Sequence, residues 1–403
     1  MLLNYYIILD YDSLLSFLPF ITIFSLLFSL VLVITIKITD GRLLLGYSYF
    51  LPFFLKLQPG HIVIYGRTGS GKSNTAKLMA AKISRRLPVL ILDWAGEYDL
   101  KSFEKLIPGR NFKLNPLQHI YGDLSEHIDF LVDLFGDIFQ LSDPMKFMLR
   151  KSLKKAFKNT SSPLLADLLD TIDSVPIKSY YDHETKMAIK RRLTHLVEGY
   201  FERAFSGMSH DISYIFSRNI IIDLSVFRSV HVKILFNLIL LKMLYDFVVS
   251  QKLFSSSVNH VIIIEEAWNI VPYRRLDYAP LLGERLFAEL RKYGECIIAV
   301  SQSPVETSWS LAKNARIVII HNILDKDVEL IFGLNVNRPT SKLSPGEAYV
   351  IQDTNVKLVK FFEYNKTRDF FDKIKNVRFN RIFGKRKTTV DSHDQLPEIE
   401  FYY

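Results

Sequence analysis

Cysteine is almost missing from the 403 residues. Cys296 stands alone, which excludes an internal disulfide framework and agrees with a reducing compartment. Low-complexity tracts and internal repeats are missing too, so the length is left for folded chain: one large α/β domain plus additions. Between Leu14 and Ile36 there is no charged residue at all. That apolar stretch, roughly 35 Å long as a helix, matches a hydrocarbon core of about 30 Å. A signal peptide would need a basic start, a shorter apolar run and an Ala-x-Ala-like site. Here Asp10 and Asp12 precede the run and no such site follows. A buried core helix is the remaining rival. The sequence predicts a retained transmembrane helix over 14–36.

Basic residues are absent before this run, whereas Lys37, Arg42 and Lys56 follow it. By the positive-inside rule, residues 1–13 lie outside and everything after Lys37 is cytoplasmic, making a single-pass protein of the plasma membrane. The net charge of +9 suits an anionic partner, nucleic acid or anionic lipid alike.

Residues 39–58 read as two short strands broken at Gly46 and Pro52, with a second membrane segment as the competing reading. Six apolar runs follow: HIVIYG (61–66), VLILDW (89–94), NIIIDL (219–224), HVIIIEE (260–266), CIIAVSQ (296–302) and ARIVII (315–320). Runs of Ile and Val without polar alternation predict parallel strands covered on both faces, hence a doubly wound, mostly parallel α/β sheet. The expected sheet core spans 59–121 and 219–364. Helical periodicity across 122–218 predicts an insertion, and 365–403 a basic segment followed by a loose tail.

Gly66-Arg67-Thr68-Gly69-Ser70-Gly71-Lys72-Ser73 fits G-x-x-x-x-G-K-[ST] in full, between a buried strand and a helix that continues with Asn74. The glycines Gly66, Gly69 and Gly71 let backbone N–H groups face phosphates, and Thr68, Ser70 and Asn74 belong to the same turn and helix start. Lys72 is expected to reach the β- and γ-phosphates of ATP and Ser73 to ligate Mg²⁺. Such a site needs a carboxylate for the metal and a base for the attacking water. VIIIEE offers Glu265 and Glu266 for these tasks, unless they are two surface carboxylates after a strand. Gln302, at the end of another strand, can sense the γ-phosphate or be a plain loop residue. Arg291 can be an arginine finger acting on a neighbouring subunit, or merely complement the dipole of the helix over 281–292.

The ordered set GRTGSGKS, LDWAGEY, LNPL, IIIEEAW, LRKYG, SQSP and LSPGEAYV resembles the HerA/FtsK superfamily, especially HerA and the ATPases of conjugative type IV secretion. The resemblance covers about Gly60 to Val350. It implies a RecA-like P-loop ATPase assembled as a homo-hexamer that threads DNA through a central channel. On this pattern Lys72 and Ser73 bind nucleotide, Glu266 is the catalytic acid/base, Gln302 the sensor and Arg291 the trans arginine. Glu265-Glu266 stands where HerA typically has Asp-Glu, and Asp93–Tyr98 replaces D-P-H-G-E-Y. In place of HerA's N-terminal β-barrel stands the apolar helix. That substitution points to transport across a membrane, as in archaeal DNA-import ATPases of the CedB kind, with a membrane channel or pilus as a possible partner. A secretion or pilus-assembly ATPase moving protein has the same motifs, and a nucleotide-binding scaffold that does not hydrolyse is the third reading.

Overall fold

The computed structural model describes residues 11–251, 255, 257–274, 280–333, 336 and 338–366. The expected basic segment and tail beyond residue 366, and the first ten residues, lie outside the described residues. Two compact units divide the chain, Met1–Phe362 and Glu363–Tyr403. Everything below concerns the first.

Eleven strands form one sheet: β1 (Leu43–Ser48), β2 (Leu51–Leu55), β3 (His61–Tyr65), β4 (Val89–Asp93), β5 (Glu104–Leu106), β6 (Ile220–Asp223), β7 (His260–Ile264), β8 (Glu295–Ser301), β9 (Ala315–Ile320), β10 (Glu347–Gln352) and β11 (Asn355–Phe361). Their order is β2-β1-β11-β10-β9-β3-β8-β7-β4-β6-β5. From β9 to β5 all neighbours are parallel. From β9 through β10, β11 and β1 to β2 they are antiparallel. The six apolar runs are strands, and β3, β4, β6, β7 and β8 are buried at every position. Full burial explains the missing alternation: both faces are covered, and each Ile or Val buried there contributes about 1.5–3 kcal/mol.

The helices are α1 (Tyr11–Thr39), α2 (Lys72–Ile83), α3 (Leu124–Phe139), α4 (Asp143–Asn159), α5 (Leu165–Asp173), α6 (Tyr180–Leu193), α7 (Gly199–Phe205), α8 (Ile212–Phe216), α9 (Val230–Ser250), α10 (Leu282–Leu290), α11 (Trp309–Asn314) and α12 (Asp325–Phe332). Helix α2 packs on β3, β7 and β8. Helices α3–α8 lie between β5 and β6 in the chain, and they share one continuous hydrophobic core with the sheet through α9, which packs on α3, α8 and α10.

The N-terminal hairpin departs from expectation. Its break falls at Tyr49-Phe50, not at Gly46 and Pro52, which sit inside β1 and β2. Gly46 is required by close approach: a Cβ there would meet the Lys360 carbonyl oxygen of β11 at 2.1 Å. Pro52 is tolerated because β2 is the sheet edge, where one face of the ladder needs no donor. The pairing of β10 with β11, of β10 with β9 and of β11 with β1 was also unexpected.

Helix α1 extends beyond the expected 14–36 at both ends. Phe24, Leu26, Leu27 and Phe28 point to different sides of it, yet each is more than half exposed. Among the described residues no helix is long and apolar enough to cross a membrane. Part of the expected span falls on side chains outside the described set.

Candidate nucleotide site

The parallel strands deliver their carboxyl ends to one edge of the sheet, where a cleft of about 400 Å³ is lined by P-loop residues, Trp94, Ala95, Glu97, Glu265, Glu266 and Val300. The P-loop leaves β3 and starts α2. Gly71 is the residue before the helix, with φ 109° and no side-chain cap. A Cβ at that position would also meet the Gly346 backbone nitrogen at 2.8 Å. Glycine is therefore demanded twice. With no side chain capping them, the first N–H groups of α2 lack intrahelical partners and point into the cleft, a ready anion site.

The loop is held from behind. The Gly346 N–H donates to the Ser70 carbonyl at 2.8 Å, and the Arg67 N–H to the Asn322 carbonyl at 2.8 Å. His321 is fully buried beneath the loop, with Nδ1 at 2.9 Å from the Glu347 carbonyl and Nε2 at 3.1 Å from Thr75 Oγ1. Burial first, and Lys72 charge second, lower its pKa to about 4, so it is neutral and serves as a brace. Nothing in the resemblance pointed to His321 or to a role for Gly346. The LSPGEAYV motif carried the glycine without revealing its contact.

Lys72 is buried, and its ammonium donates to the Arg67 carbonyl at 3.1 Å. Burial lowers its pKa, while Glu266, Glu265 and Glu97 pull it back up. These carboxylates come from β7 and from the loop after β4. Strand β7 lies one strand away from β3, with β8 between them. Lys72 and Glu266 are thus neighbours across the cleft, and Gln302 follows the intervening strand. Gln302 Nε2 approaches Glu266 Oε1 at 3.5 Å. Ser73 and Asn74 line the cleft beside Lys72, and Thr68 and Gly69 form its lip. The Asn74 amide donates away from it, to the Phe362 carbonyl at 2.9 Å. Gly66 packs so tightly that a Cβ would meet Ser70 Oγ at 2.4 Å.

Glu265 is 6% exposed. Burial, then the Asp93 charge, raise its pKa to about 7, with the Tyr98 hydroxyl and Lys77 partly offsetting them. Asp93 itself shapes the next loop: its carboxylate accepts from the N–H groups of Gly96, Glu97 and Tyr98 at 2.8, 3.1 and 2.9 Å. Trp94 on that loop is fixed by Lys233, which donates to its carbonyl at 2.7 Å. Sequence reasoning assigned no role to Trp94, Ala95 or Glu97 in the cleft.

Among the described residues no group of three or more His, Cys, Asp or Glu could hold a metal ion. A buried carboxylate among acidic neighbours, facing a serine at a helix start, nonetheless fits Mg²⁺. This cation keeps waters and takes only one or two protein ligands beside the phosphates. Arg291 does not join this cleft. It is exposed and follows α10, near His61 at the amino end of β3. Five residues of strand separate the two edges, roughly 17 Å.

An anion-binding helix start facing a strand-end carboxylate pair across a mostly parallel sheet defines a P-loop ATP hydrolase. Residues 51–243 match the family model described as helicase HerA, central domain. Among solved structures, the fold is similar to VirB4 of Thermoanaerobacter pseudethanolicus, with TM-score 0.64 and 19% identity over 80% of this chain and 95% of that one. It is also similar to the bacterial conjugative coupling protein TrwB, with TM-score 0.56 and 13% identity over 79% of this chain and 88% of that one. The TrwB complex with ADP and Mg²⁺ gives TM-score 0.54 and 14% identity over 79% and 89%. No curated protein matches the sequence. The likeness is thus to the central domain of helicase HerA over residues 51–243 and, in fold, to VirB4 and TrwB over about four fifths of the chain.

Proposed function

We propose that this ATPase is a membrane-anchored homo-hexameric motor that drives DNA through its central channel, in DNA transfer across the plasma membrane. The observation that carries the reading is the division of catalytic groups between two edges of one sheet. Lys72, Ser73, Glu265 and Glu266 line one cleft and Gln302 approaches Glu266 beside it, whereas Arg291 is exposed at the opposite edge. Within a single chain Arg291 cannot reach the phosphates. In a ring it meets the neighbour's cleft.

In this reading the α2 start and Lys72 bind the phosphates of ATP, and Ser73 and Glu265 hold Mg²⁺, which supplies charge neutralisation when bound. Glu266 orients the attacking water and accepts its proton. Gln302 senses the γ-phosphate, and the neighbour's Arg291 offsets transition-state charge. The relatives named as conjugative and plasmid coupling proteins support nucleic acid as cargo. A secretion or pilus-assembly ATPase moving protein is the alternative. Support for the anchor comes from the apolar side chains exposed all round α1 and from Lys37, Arg42 and Lys56 after it. In this reading residues 1–13 lie outside, 14–36 in the bilayer and the ATPase domain in the cytoplasm.

The deciding experiment is ATP hydrolysis by the detergent-solubilised full chain, with and without DNA. DNA-stimulated, salt-sensitive turnover that vanishes in Lys72→Ala is expected. Turnover indifferent to DNA, with no DNA binding at low salt, overturns DNA as the cargo.

A further inference from the structure

Glu266 leaves β7 in the left-handed region, with φ 49° and ψ 44°, where residues bearing a Cβ are uncommon. Its backbone is clamped there. The Glu266 carbonyl accepts from the Asn269 N–H at 2.9 Å and from the Asn269 side-chain amide at 3.2 Å. Its carboxylate is clamped as well. The Trp268 indole N–H donates to Oε2 at 2.7 Å, while the Gln302 amide stands at 3.5 Å from Oε1. The indole bond is short and charge-assisted, and the Gln302 contact is at the outer limit of a hydrogen bond. Trp268 therefore sets where the carboxylate points.

Packing does not account for this tryptophan, since the ring is 38% exposed on a three-residue turn. A glutamate side chain has a soft terminal torsion that turns broadly unless something pins it. With Oε2 tied to the indole, Oε1 is left facing Gln302, the side on which an attacking water would be oriented. We infer that Trp268 is a positioning residue for ATP hydrolysis, its indole N–H aiming the Glu266 carboxylate at the water site. The inference rests on Glu266 being the base. Misplacement of a catalytic group by about 1 Å costs on the order of 100-fold in rate.

The test replaces Trp268 in the full chain by two routes. Trp268→Phe keeps an aromatic ring without the donor, and Trp268→benzothienylalanine keeps the indole shape with sulfur in place of N–H. Both are expected to lower kcat by about 10–100-fold with KM for ATP and the melting temperature unchanged. In a Glu266→Gln background, replacing Trp268 should cause no further loss. Full kcat in both Trp268 variants, or kcat and ATP binding lost together in both, would overturn the positioning role. If Glu266→Gln itself hydrolyses ATP at the unaltered rate, it is the reading of Glu266 as base that fails. An inactive Glu266→Gln beside fully active Trp268 variants removes only the indole's part.

Discussion

The two ends of the parallel strands both carry buried ionisable groups, and the fold treats them in opposite ways. At the amino ends the buried histidines are partnered within the chain. His61 Nε2 donates to the Phe287 carbonyl at 2.6 Å and Nδ1 accepts from the Ile297 N–H at 3.1 Å. His260 meets Glu295 at 2.7 Å, with both side chains almost fully buried. At the carboxyl ends Lys72 has one carbonyl, Glu265 lies among acids, and Glu266 faces an open cleft. Pairing within the chain marks groups that hold the structure. Charge left to be balanced by something that arrives marks the working edge.

The largest effect is expected from Lys72→Ala, which should abolish ATP turnover and weaken binding, read by hydrolysis and nucleotide titration. Glu266→Gln should slow hydrolysis by about 10²–10⁴ while leaving ATP bound, as single-turnover measurements would show. Arg291→Ala should cost roughly 10²–10³ in turnover without loss of binding. Mixing it with inactive Lys72→Ala subunits should restore part of the activity, because a hybrid ring recreates intact interfaces. Failure of that rescue would return Arg291 to the structural edge.

The smallest effect is thermodynamic and has opposite sign at the two edges. Burial lowers the pKa of His61 to about 4, so its share of stability is lost as pH falls from about 6.5 through 4. Glu265 is raised to about 7, so its share is fully present below about 4.5 and is lost as pH rises through 7. Glu265→Gln should therefore gain on the parent as pH rises across that window, by up to about 3 kcal/mol without nucleotide. Melting temperatures between pH 4.5 and 8 would show it.

Those differences also explain what could be read in advance. The buried strands announced themselves, because burial on both faces imposes unbroken Ile/Val runs such as those of β7 and β8. The P-loop was legible because phosphate binding fixes residue types at fixed spacing. The β10–β11 pair was not, since its one-sided burial gives weak alternation, and Gly346, just before β10, has its role in touching Ser70, 276 residues away in the chain. The Trp268–Glu266 bond was equally hidden. It depends on the left-handed backbone of Glu266 itself, and no spacing rule encodes that φ.

The backing of the phosphate loop has a mechanical meaning. Gly346 holds Ser70, and the Phe361 N–H in turn bonds the Gly346 carbonyl; Asn74 holds the Phe362 carbonyl, whose own N–H donates to Leu45 at 3.0 Å. Leu45 lies in β1, a few residues after α1 ends. The loop that grips phosphate is thus geared through three short links to the root of the N-terminal helix. A recoil of the loop when phosphate leaves would arrive there as a tug on the stalk, with little slack to absorb it.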